Sequence, residues 1–112
     1  MKLKNVVIAV NNLDRSRQFY QSLFGLDMIL QSEGNIILTE GLVLQDVSIW
    51  KEETGQEVLF HNHASELYFE ESDIDSFIKK LKNYHEPIEY VTGLQNYPGA
   101  RNLSVSMIRI KI

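Results

Sequence analysis

The chain of 112 residues contains no cysteine. That absence removes disulfide frameworks, cysteine-based zinc sites and thiol catalysis, and makes a reducing cytosol the natural home. No apolar run approaches the ~20 residues that a membrane helix needs. The opening MKLKNVVIAVNN has a short apolar stretch without a small-residue cleavage site, so it reads as a strand rather than a signal peptide. Positive charge is also in short supply. Eleven Lys and Arg face 15 Asp and Glu, for a net charge of −4. That leaves no positive face to grip nucleic acid or an anionic membrane. Acidic residues in turn are missing from one place: all 15 precede Tyr97, and YPGARNLSVSMIRIKI (97–112) has none.

What is present suits one small domain. A hydrophobic fraction of 44% is that of an ordinary globule, and the length allows a core of its own. LKNVVIAV (3–10) is short and β-branched, a buried strand. In NNLDRSRQFYQSLFG, Asn12 is an N-cap, Asp14 sits in the first turn and Gly25 is a stop. Leu13, Phe19, Tyr20, Leu23 and Phe24 share one helical face. LDMILQ and NIILTE read as strands about the turn 32–34, and GLVLQDVSIW as a further strand after a turn at Gly41. Beyond the polar linker KEETGQEVLFHNHAS the pattern restarts. ELYFEE is a strand, Ser72 caps a helix with Asp75 three residues on, and Ile74, Phe77, Ile78 and Leu81 form its stripe. Pro87 stops that helix, and IEYVT is the next strand.

The two halves overlay with a shift of 61 positions. Asn12-Leu13-Asp14 meets Asp73-Ile74-Asp75, Tyr20 meets Leu81, and Asn5 meets Glu66. Such repetition points to two copies of one strand–helix–strand–strand–strand unit, neither able to close its core alone.

VVIAVNNLDRSRQFYQSLFGLDMIL resembles the opening of the glyoxalase/bleomycin-resistance/dioxygenase proteins, the vicinal oxygen chelate superfamily, and ELYFEESDIDSFIKKLK resembles the start of their second module. The likeness runs from Leu3 to about Gly99. It implies an α+β fold in which two βαβββ modules form a curled mixed sheet around a cavity: module one 1–52, linker 53–64, module two 65–112. The activities it implies are metal-dependent isomerisation, lyase chemistry, ring cleavage, thiol transfer to antibiotics, or drug sequestration without catalysis. Fold alone does not choose among them.

In metal-using members, ligands come from the first and last strands of each module. Asn5 stands where His or Gln is usual, Glu66 where His is usual, and Gln45 in place of a Glu. Two amides and one carboxylate make a poor cage for zinc, nickel or iron. The fourth ligand should be a Glu near the C-terminus, yet no acidic residue follows Glu89. The expectation is therefore no metal and no other cofactor in this chain, with a divalent ion reserved for an intact relative.

The tail bears on this. Members of this kind usually end with Pro-Trp-Gly-Gln, then Phe-Tyr-Asp-Pro-Asp, then Ile-Ile-Glu-Val. Here Pro98 is followed by GARNLSVSMIRIKI. Regrouped by one base, codons for residues 107–111, with a T from Ser106, spell Tyr-Asp-Pro-Asp-Lys. The Asp codon across Met107 and Ile108 is forced. The reading favoured is a one-base deletion near Pro98 that leaves module two without its closing strand. The competing reading is a divergent native strand, since LSVSMIRI alternates well.

Each candidate site residue has a plainer role beside it. Glu66 is the candidate catalytic group, or else a strand carboxylate. Gln45 faces the cavity, or is a buried amide needing partners. Trp50, at the end of the fourth strand, walls a ligand site or simply packs. Tyr68 and Tyr90 line the cavity or belong to the core. His61 and His63 share the i, i+2 spacing of a metal pair, but their linker context favours a solvated loop. Three functions follow from this. The first is a small-molecule-binding protein without an intact metal site, with Asn5, Gln45, Trp50, Tyr68 and Tyr90 at the ligand. The second is a metal-dependent lyase or dioxygenase whose ligand strand was lost. The third is a chain whose open sheet edge pairs with another copy, a homodimer.

Overall fold

A computed structural model describes residues 1–60, 67 and 69–86, together with the backbone pairing of 95–96 and 106–107. The chain forms two compact units, Met1–Leu59 and a second from Phe60 onward.

The first unit runs β1 (Val6–Val10), α1 (Leu13–Phe24), β2 (Met28–Ser32), β3 (Asn35–Leu38), β4 (Leu42–Asp46) and α2 (Val47–Thr54). The expected strand–helix–strand–strand–strand order is present in its first five elements. Asn12 starts α1 from an extended backbone, and its Oδ1 accepts the Arg15 N–H at 3.0 Å. Gly25 ends the helix at φ 67°, a left-handed conformation that favours glycine, and its N–H donates to Gln21 O. The sheet order is β1-β4-β3-β2. β1 lies parallel to β4, while β3 is antiparallel to both β4 and β2, so the sheet is mixed and open.

Strand alternation gives this sheet two unlike faces. On one, Ile8, Leu44 and Ile36 lie side by side in register, and Ile36, Leu38 and Leu44 are fully buried. Helix α1 packs on β3 and β4 with Tyr20 and Leu23 buried. Each such aliphatic side chain stabilises the fold by about 1.5–3 kcal/mol on leaving water. The other face is partly open.

The strand expected over 41–50 ends four residues early, at Asp46. There the Asp46 carboxylate accepts the Ser48 N–H at 2.9 Å and the Ser48 hydroxyl at 2.6 Å, which caps α2. Gly55 closes that helix at φ 70°. Trp50 therefore sits on a helix and not at a strand end, and Lys51–Thr54 leave the expected linker. Helix α2 packs on β1 and β4. Its Ile49 fills the space over Gly34 (φ 75°), in the β2–β3 turn, where any Cβ would collide with Ile49 Cγ1.

In the second unit, α3 (Ile74–Asn83) buries Phe77 and Leu81, with Ile74 and Ile78 half-buried. Its cap is Asp73 rather than Ser72: Asp73 Oδ1 accepts the Ser76 N–H at 3.1 Å, the same i to i+3 bond that Asn12 makes. The helices α1 and α3 begin at Leu13 and Ile74, the 61-residue repeat read from the sequence. Helix α3 ends at Asn83, ahead of Pro87. Leu67 and Phe69–Glu71, the described part of the strand expected at 66–71, carry no strand. The strand expected at 88–92 lies outside the described residues. Further on, β5 (Gln95–Asn96) pairs antiparallel with β6 (Ser106–Met107), so that stretch of the tail has a strand partner within the chain.

Candidate functional site

The open face of the first sheet carries two parallel rows, set by register alone. One row crosses the strands as Leu30, Ile37, Val43 and Val7. The next crosses as Ser32, Asn35, Gln45 and Ala9. The first is wholly apolar and the second holds two amides at its centre. Val43 and Ala9 are buried, Ile37, Asn35 and Gln45 half-buried, and Val7 and Leu30 exposed at 40% and 56%.

The amides are linked. Gln45 Nε2 donates to Asn35 Oδ1 at 3.0 Å, and Asn35 Nδ2 donates to the Glu33 carbonyl at 3.3 Å. A backbone carbonyl can only accept, so it fixes which end of Asn35 donates, and Asn35 in turn fixes Gln45. Asn35 is not among the site residues to which the sequence points. It becomes visible only once the β2–β3 turn is placed at Glu33–Gly34, which sets Asn35 opposite Gln45.

Asn5 is exposed, one residue ahead of β1 and beside Gly41. Gln45 is level with Ala9. Four residues along a strand separate the two levels, about 13 Å. The structure therefore does not bring Asn5 and Gln45 together as co-ligands, and the residues nearest the level of Asn5 are Gly41, just ahead of β4, and Leu42, which offer no side-chain donor. A divalent ion of the type the resemblance implies wants imidazole and carboxylate within one coordination sphere. The first module's residues do not fit it: Gln45 is tied by one of its two amide N–H groups to Asn35, and no carboxylate or imidazole stands on either row. Trp50 is half-buried on α2. Glu66, Tyr68, Tyr90, His61 and His63 lie outside the described residues.

Ionisable groups near the rows are few. Ser48 hydrogen bonds hold the Asp46 carboxyl below the usual carboxylate range. On the helix-covered side, burial pushes the Tyr20 hydroxyl up to about 12. Neither group touches the open face, whose polarity is that of amides. Among the described residues no helix is long and apolar enough to cross a membrane.

Comparison with known proteins agrees with this architecture. A family model described as a glyoxalase-like domain matches residues 3–106. Among solved structures, a protein of unknown function from Agrobacterium tumefaciens str. C58 superposes with a TM-score of 0.69 at 19% identity, covering 88% of this chain and 79% of that one. A glyoxalase/bleomycin resistance protein/dioxygenase from Nocardioides gives 0.57 at 20% identity, covering 88% and 70%. A lactoylglutathione lyase from Agrobacterium tumefaciens gives 0.57 at 19%, covering 88% and 78%. These likenesses speak for the fold. No curated protein matches the chain. With nine-tenths of its length inside the family model, the chain belongs to the glyoxalase-like domain family, within the vicinal oxygen chelate superfamily.

Proposed function

We propose that this chain binds an amphipathic small molecule on the open face of its first sheet and does so without a metal. The observation that carries the reading is the pair of rows: an apolar stripe of Leu30, Ile37 and Val7 lies directly beside the Asn35–Gln45 amides. An apolar body laid on the first row would bring a polar end to the second. Trp50 is assigned to the rim of this site. A reducing cytosol suits a chain without cysteine. The partner beyond the ligand is a second copy of the chain, joined through the exposed strand β2.

A thermal-shift screen of amphipathic aromatic compounds, run with and without EDTA, tests the reading. Compounds are expected to raise Tm equally in both conditions, because only binding to the folded state stabilises it. If no compound raises Tm, the binding role fails. If every shift disappears with EDTA, the alternative gains: a metal-dependent lyase or dioxygenase, as the names of two structural neighbours suggest. That alternative lacks a fitting donor set on the first module.

A further inference from the structure

The amide chain on the open face has a direction. It begins at the Glu33 backbone carbonyl, which receives Asn35 Nδ2 at 3.3 Å. Asn35 Oδ1 then receives Gln45 Nε2 at 3.0 Å. With its nitrogen bonded to Asn35, the Gln45 side chain leaves its carbonyl oxygen without a hydrogen-bond partner among the described residues. A free glutamine can flip its amide and serve a donor or an acceptor equally well. Here a flip would set two carbonyl oxygens against each other at Asn35, with a half-buried acceptor pair left unsatisfied. The polarity of the Gln45 amide is thus fixed by Asn35.

We infer that Asn35 is a positioning residue, that Gln45 Oε1 is the selecting atom, and that the ligand carries a hydrogen-bond donor, a hydroxyl or N–H, on an apolar body. This rests on the reading of the open face as a binding site. Carboxylates and phosphates are disfavoured on two counts. They bring no donor to the Gln45 carbonyl, and no cationic side chain stands on either row. A methyl ether of the same shape would fill the apolar row equally well and leave Gln45 unpaired. Sites built this way discriminate by the lost bond, not by fit.

The test uses three probes of one shape: 4-methylphenol, 4-methylanisole and 4-methylbenzoate. Each is titrated into 15N-labelled protein while backbone and side-chain amide resonances are followed. 4-Methylphenol is expected to move the Gln45 side-chain amide and the signals of Val7 and Ile37, and to bind at least about ten-fold more tightly than 4-methylanisole, or about 1.4 kcal/mol. 4-Methylbenzoate should be weakest. Asn35→Leu should bring the phenol-to-anisole ratio close to one while both still bind. Asn35→Asp should retain the ratio, since a carboxylate oxygen still accepts from Gln45 Nε2. Gln45→Met, which removes the carbonyl at constant size, should also abolish the preference, and it serves if Asn35→Leu fails to fold. Equal binding of phenol and anisole by the unaltered protein overturns the inference while leaving the site standing. A ratio undiminished in Asn35→Leu overturns the role of Asn35. If none of the probes moves the resonances of Val7, Ile37 or Gln45, the binding site itself is wrong and the inference falls with it.

Discussion

Tyr20 is the residue at which burial and chemistry meet most directly. It is 4% exposed, its ring lies edge-on to Phe19 at 5.2 Å, and burial pushes its hydroxyl up to about 12. In the unfolded chain a tyrosine ionises near 10. The folded state therefore holds its proton where the unfolded state has lost it. Stability from this group is complete below about pH 10, then falls by about 1.4 kcal/mol for each pH unit up to about 12. Urea titrations at pH 9 and pH 11 should show that loss in the native sequence. Tyr20→Phe should be nearly level across the same interval, and equal slopes in the two proteins would rule the mechanism out. At this scale the sequence was half informative. Tyr20 and Leu23 announce themselves by helical spacing. Gln45 could be picked out by its place in LVLQD, whereas Asn35 could not, because its role exists only through a cross-strand register.

The elements were legible where capping chemistry is local. Asn12 and Gly25 bound α1 as expected, and Asp73, one residue past the expected Ser72, bounds α3. The miss at α2 has a physical cause. Val47, Ile49 and Trp50 have strand-favouring side chains and continue the apolar run of β4. The opposing signals, Asp46 before Ser48 and a glycine at 55, are those of a short capped helix, and they prevail. This cap carries a test of its own. Asp46→Ala should cost about 1 kcal/mol at neutral pH. Because Ser48 lowers the folded carboxyl below its ordinary value, the cap is in force above the unfolded value and is lost as pH falls through the folded one. The gap between native and Asp46→Ala proteins should therefore be present in urea melts at pH 7 and shrink as the pH falls below the ordinary carboxylate range. A gap that persists in acid would mean that Asp46 acts by something other than its charge.

At the level of the molecule, an open sheet has edges, and edges must be managed. The 61-residue repeat was readable because it is written in caps and apolar spacing. In the second unit, Leu67 and Phe69–Glu71 of the strand read at 66–71 carry no strand, because a strand's place depends on partners distant in sequence, while β6 falls within LSVSMIRI (103–110), whose alternation marks a strand. Among the described residues β2 is one of the two outer strands of the first sheet, and its Met28, Ile29 and Leu30 are exposed at 44%, 64% and 56%. The strand MILQS carries no charge, which is the usual guard on an exposed edge. An identical strand is its natural complement, because a two-fold axis lays the two copies antiparallel and makes both edges one interface. The β2–β3 ladder shifts register between Met28 and Leu30, which leaves Ile29 at the irregularity and outside both rows. Sedimentation equilibrium should give the mass of a dimer for the native sequence and of a monomer for Ile29→Lys, whose charge would meet its own image near the axis. The Ile29→Lys monomer should still bind 4-methylphenol with the native preference over 4-methylanisole. A native protein that sediments as a monomer at working concentration removes the edge pairing. A dimer that survives Ile29→Lys moves the interface elsewhere. A lost preference in a folded monomer would show that the second copy helps to build the site.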